Sequence, residues 1–113
     1  MDSRSVRMNV QWFVPTGQAR PITMALHSLA NETRSMRGCL GCSVSTDFAD
    51  QGAIRYSEEW LSEEDLRERV LTDTFVQLVA MMEEAIDPPH VEFVLGHKTR
   101  GLDFVEEVRA SLP

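Results

Sequence analysis

The chain of 113 residues is long enough for one domain and too short for two cores. Its apolar content of 42% suffices for one core, while a formal charge of -7 argues against a nucleic-acid partner, which would need clustered Lys and Arg. No apolar run approaches the ~20 residues that cross a bilayer, and the start MDSRSVRMNV lacks the apolar stretch of a signal peptide. No membrane partner and a cytoplasmic location are therefore expected.

From Val6 to Val14 the pattern alternates. Val6, Met8, Val10, Trp12 and Val14 share one face and Arg7, Asn9, Gln11 and Phe13 the other, as in a strand covered on one side. Pro15, Thr16 and Gly17 break it. From about Gln18 to Arg37, helical spacing joins Ile22, Ala25, Leu26, Leu29, Ala30, Thr33 and Met36, with Pro21 placed in the first turn and Gly38 as a left-handed stop. A second strand, Cys39 to Thr46, is expected to turn Leu40, Cys42 and Val44 inward. Its C-x-x-C would then point Cys39 and Cys42 to opposite faces, and the available histidines, His27, His90 and His97, are scattered. Neither a disulfide nor a metal site is expected.

Asp47 to Gly52 forms a polar turn, and a third strand from Ala53 to Trp60 returns antiparallel. In it Ile54, Tyr56, Glu58 and Trp60 share one face, with Arg55, Ser57 and Glu59 on the other. Ser62 caps a helix from about Glu63 to Val70, with Asp65 in the capping-box place. Thr72 caps another, whose stripe is Leu71, Phe75, Leu78, Val79, Met82 and Ile86, stopped by Asp87, Pro88 and Pro89. Val91, Phe93 and Leu95 alternate through a fourth strand, His90 to Gly96.

Strand, helix, strand, strand, helix, strand is the split arrangement of a ferredoxin-like α+β fold with a four-stranded antiparallel sheet. Residues 1–96 make that domain. Residues 97–113 form a C-terminal extension with a short helix from about Asp103 to Ala110, whose apolar edge of Leu102, Val105, Val108 and Leu112 either caps the same core or reaches a partner. The far face of the sheet carries Asn9, Gln11, Phe13, Arg55, Ser57 and Val94, too apolar in places for free solvent, so a second copy is its simplest cover.

Glu58 is a lone acid in an apolar row. Beneath the helices, beside Tyr56 and Trp60, it would serve as a general base, the two rings orienting an aromatic ligand. The competing reading leaves Glu58 at the strand end, paired with an arginine or capping a helix. Met8, Val10, Trp12, Phe75, Val79 and Met82 would line the same cavity, or else make plain core.

PTGQ after the first strand, GCLG at 38–41, Glu58-x-Trp60, the acidic SEEDL at 62–66 and Phe75 occur in an order that resembles the antibiotic biosynthesis monooxygenase family, from Val6 to Gly96. The resemblance implies a homodimer whose sheets meet in a closed α+β barrel. Several members oxidise anthrones or quinols with dioxygen and no metal or flavin, because a deprotonated, electron-rich ring can reduce oxygen itself. The expected function is therefore cofactor-independent monooxygenation of a small hydroxylated aromatic, with Glu58 as base, Tyr56 and Trp60 as orienting groups, and no metal. The alternatives are a cofactor-free isomerase of a small carbonyl compound and a non-catalytic dimeric binding module. The chain departs from its relatives at Arg69 and Thr74, where many carry histidines, and at Val79 and Val10, where haem-degrading relatives carry the iron ligand and an asparagine. These departures argue against haem degradation and against a histidine proton shuttle there.

Overall fold

The computed structural model of the protein describes residues 6–47, 49–50, 52–83, 85 and 87–112; Phe48, Gln51 and Ile86, expected in the turn and the helical stripe, lie outside them. Its elements are β1 (Val6–Phe13), α1 (Thr16–Arg34), β2 (Cys39–Thr46), β3 (Ala53–Trp60), α2 (Glu63–Val70), α3 (Asp73–Glu83), β4 (His90–Leu95), β5 (Lys98–Arg100) and α4 (Asp103–Ala110). The strands form one open antiparallel sheet in the order β2-β3-β1-β4-β5. This is the expected ferredoxin-like α+β fold with a fifth strand added at the edge. KTR is too short for an alternating pattern, so β5 left no mark in the sequence.

Alternation decides which side is dry. Met8, Val10 and Trp12 of β1, Ile54, Tyr56 and Trp60 of β3, and Val91 and Phe93 of β4 are buried against Leu26, Leu29 and Ala30 of α1 and Phe75, Leu78 and Met82 of α3. Val79 is partly buried at the edge of this core, and Leu71, counted in the same stripe, is exposed.

Two local expectations need correction. Helix α1 begins at Thr16, its first turn closed by the Gln18 N–H donating to Pro15 O at 2.8 Å, so Pro21 lies inside the helix rather than in its first turn. It is tolerated on the exposed side, where water can meet the Gly17 carbonyl that it leaves unpaired. The helix also stops at Arg34, and Gly38, at φ 85°, serves instead as the turn into β2.

The second correction concerns the cysteines. The β2/β3 register slips between Cys39 and Gly41, so Cys39 faces Trp60 and Cys42 faces Glu58 across the ladder. The bulge carries Leu40 outward, 59% exposed, and turns both thiols to the core side instead of opposite faces.

The C-terminal residues share the same core. Phe104, Val105 and Val108 of α4 are buried, and the Phe104 ring centroid lies 4.9 Å from that of Phe93. Leu102 and Leu112, expected on that edge, are exposed. No helix among the described residues is long and apolar enough to cross a membrane.

Candidate functional site

The pleat of β3 sends Tyr56, Glu58 and Trp60 beneath the helices together, and each is 1% exposed. Helix α2 delivers their partner. Ser62 Oγ accepts the Asp65 N–H at 3.1 Å and so fixes the start of the helix, and Leu66, Arg69 and Val70, three and four positions apart, become its buried side. Arg69 therefore enters the core at an apolar position.

A buried guanidinium must be met by acceptors, and this one is. Arg69 Nη2 donates to Glu58 Oε2 at 2.9 Å and to Thr33 Oγ1 at 3.1 Å, and Nε is shared between the two Glu58 oxygens at 3.2 Å each. Nη1 donates to Thr72 Oγ1 at 2.9 Å and Thr74 Oγ1 at 2.6 Å, and the plane lies 5.6 Å from the Phe75 ring. Glu58 in turn accepts from Tyr56 OH at 2.5 Å and Trp60 Nε1 at 3.0 Å. Thr72 also caps α3, as expected, its Oγ1 accepting the Phe75 N–H at 3.2 Å.

The electrostatics follow. Burial acts to lower the Arg69 pKa, but the charge and hydrogen bonds of Glu58, with Tyr56, outweigh it and hold the guanidinium above its ordinary value. Burial, then the Glu58 carboxylate, pushes the Tyr56 hydroxyl well above the usual phenol range. Burial pushes the neighbouring Cys42 thiol up to about 11. Both groups are neutral donors near pH 7.

The structure thus joins Glu58 to both expected rings and also to an arginine, in a set closed on itself. The positions that carry histidines in many relatives, Arg69 and Thr74, belong to that one network. Arg69 was visible in the sequence only as a departure, although an arginine at an apolar position of α2 was the signal for it.

A hollow opens elsewhere, where the end of β1 meets the start of α1 and the residues after α3. It holds about 370 Å³ and is lined by Trp12, Pro21, Ile22, Ala25 and Met81, with the exposed residues Gln18 and Asp87 at its polar side. The size is that of a small-molecule pocket, ~300–1,000 Å³. Asp87 is the one ionisable side chain among the described lining residues.

Of the residues expected to line a cavity, Trp12 alone borders this hollow. Met8, Phe75 and Met82 are packed in the core, and Val79 lies at its edge. Val10, its side chain buried, contributes to a groove of about 440 Å³ on the open face of the sheet, beside Asn9, Ser43, Arg55 and Glu92. Met8, Phe75 and Met82 are core because the large side chains of β1 and α3 fill the space between them. Gln18 and Asp87 were missed because they stand at element ends, where periodicity carries no signal. Trp12 pairs with Ile54 and Met8 with Glu58, so four residues of β1, about 13 Å at strand rise, separate the hollow from the Glu58 set. His27, His90 and His97 are exposed, and among the described residues no group of three His, Cys, Asp or Glu could hold a metal ion.

A family model described as antibiotic biosynthesis monooxygenase matches residues 5–81. No curated protein matches the chain. Among solved structures, a conserved protein from Methanosarcina mazei is 21% identical with a TM-score of 0.70, over 81% of this chain and 93% of its own. Protein SO0527 from Shewanella oneidensis is 18% identical at 0.72, over 82% and 91%. A protein described as an antibiotic biosynthesis monooxygenase is 23% identical at 0.66, over 79% and 95%. At these identities the likeness is one of fold.

Proposed function

Because the chain belongs to the antibiotic biosynthesis monooxygenase family, we propose that it oxidises a small hydroxylated aromatic of the anthrone or quinol type with dioxygen, without metal or flavin. The observation that carries this reading is the apolar hollow beside Trp12, which is large enough for a fused-ring substrate and has a carboxylate, Asp87, at its wall.

The chemistry balances without a co-reactant. For an anthrone, Asp87 takes a proton from the ring CH₂, and the resulting electron-rich anion transfers electrons to dioxygen. The carbon bonds to one oxygen atom, the O–O bond breaks, and the CH₂ becomes C=O while the second oxygen leaves as water. All four electrons come from the substrate. The protein supplies a base, orientation and largely apolar walls.

A group that takes the substrate's proton must touch it. Glu58, the base expected from the sequence, does not border the hollow, and its oxygens already accept from Tyr56, Trp60 and Arg69. We therefore assign the Glu58 set a positioning role, clamping β3 to α1, α2 and α3. The chain acts as a homodimer in this reading, with the open sheet face and its groove covered by a second copy.

The saturation of Glu58 favours one other reading, a non-catalytic binding module. Oxygen uptake separates the two. Purified protein is given a panel of anthrones and quinols in an oxygen electrode, with Asp87→Asn alongside. Catalysed uptake that falls by about 10²-fold or more in Asp87→Asn supports the proposal. Uptake at the uncatalysed rate with every compound leaves the binding module.

A further inference from the structure

Cys39 and Cys42 are the chain's two cysteines, and neither lines the hollow. Both are free thiols, Cys39 half-buried and Cys42 buried at 8% exposure. On a regular strand, residues three apart face opposite sides of the sheet and stand about 10 Å apart. The bulge at Leu40 changes both relations. Cys39 lies opposite Trp60 and Cys42 opposite Glu58, and those partners are two residues apart on β3. The separation along β3, about 6.7 Å at strand rise, falls at the upper end of the ~4.4–6.8 Å between the Cα atoms of a disulfide. The Cys39 thiol leans the same way, donating to Gly41 O at 3.5 Å, the carbonyl next to Cys42 in the chain.

The bulge is also placed to tighten. β2 is an edge strand, Leu40 is exposed, and Gly41 has nothing within 4 Å of its Cβ position. Arg34 Nε holds the far end by donating to Cys42 O at 2.9 Å, so closure brings Cys39 toward Cys42. We propose that Cys39 and Cys42 form a reversible dithiol site for low-molecular-weight disulfides, in which Cys39 exchanges first and Cys42 resolves. The Cys39 thiolate attacks one sulfur of the reagent and bonds to it, and the other half leaves as a thiol. The Cys42 sulfur then attacks the Cys39 sulfur, the second reagent half leaves as a thiol, and the Cys39–Cys42 bond closes. Two electrons pass from the protein to the reagent, whose two halves take up the two protons that the cysteines give up. The order follows exposure, because a reagent meets Cys39 before the buried Cys42. Burial holds both thiols above their ordinary value, Cys42 at about 11, so exchange is slow at neutral pH and quickens as the pH rises.

The test weighs the product. Folded protein is incubated with oxidised glutathione at pH 9, quenched in acid and measured by mass spectrometry. The expected product is a single chain lighter by two hydrogens, free of glutathione, whose peptide map joins Cys39 to Cys42. Dithiothreitol should return it to the starting mass. Cys42→Ser should instead keep one glutathione, on Cys39, and Cys39→Ser should stay unmodified over the same time. The wild-type rate should fall about fivefold or more from pH 9 to pH 8, with the thiolate fraction, and should not change in urea below the unfolding transition. Wild-type protein that stops at one glutathione, bonds that join two chains, or two thiols still free at the end of the incubation overturns the proposal. A rate that climbs with that urea places the exchange in the unfolded chain and overturns it as well.

Discussion

Arg69 Nη2 lies 2.9 Å from Glu58 Oε2, and neither side chain has any exposure to water. An ion pair this deep is held by geometry, because each charge would be costly alone. Arg69→Met should therefore destabilise the protein by about 3–5 kcal/mol by stranding the Glu58 carboxylate. The double variant Glu58→Gln, Arg69→Met should recover much of that loss. Urea denaturation of the two single variants and the double variant measures the coupling, and strictly additive costs would contradict the pairing.

The C-terminal helix joins the core through Phe104, Val105 and Val108, of which Phe104 is the largest. Phe104→Ala should cost about 3–5 kcal/mol, since it empties the space against Phe93. Leu112→Ala, at an exposed position, should change stability by less than about 0.5 kcal/mol. Thermal melts of the two variants compare them directly.

Gly38 is fixed twice over. Its φ is 85°, and a Cβ on it would overlap the Asp65 carboxyl group that takes part in the Ser62 cap of α2. Gly38→Ala should lower stability by about 1–3 kcal/mol. Gly17→Ala, with nothing near its Cβ position and a helical setting, should be neutral or mildly stabilising.

Much of this framework was legible in the sequence. Period-two alternation in β1, β3 and β4 gave the strands and their dry faces, and Ser62 and Thr72 marked the helix starts that the structure contains. The misses share a physical cause. The Leu40 bulge, the short strand β5 and the buried Arg69 are each set by tertiary contacts: a ladder slip, an edge pairing and an acid on another element. Met8, Phe75 and Met82, which pattern alone assigns to a cavity, became core, while the hollow that Trp12 borders arose at element ends. Periodicity can say which side chains turn inward, but not where inward-turning side chains leave a gap.

Alkaline pH should loosen the fold in a defined window. The Cys42 thiol, at 9.0 in the unfolded chain, is held up to about 11 in the folded one, so the unfolded chain releases its proton first. The stability tied to this difference is whole below pH 9 and is lost as the pH rises to 11, about 2–3 kcal/mol in all. Tyr56, raised in the same sense from 10.0, extends the loss to higher pH. Melting temperatures from pH 8 to 11 should fall, and Cys42→Ala should flatten the fall between pH 9 and 11. An unchanged slope in that variant would contradict the assignment.

The central claim is that the chain inserts one atom of dioxygen into an aromatic substrate held beside Trp12, and isotope labelling tests it most directly. Anthrone is turned over under oxygen-18 gas, and the product is weighed by mass spectrometry. The account predicts an anthraquinone carrying one labelled oxygen at the new carbonyl, formed at a rate that Ala25→Trp abolishes. A product without label, or a labelled product formed equally fast with the hollow filled, would contradict it.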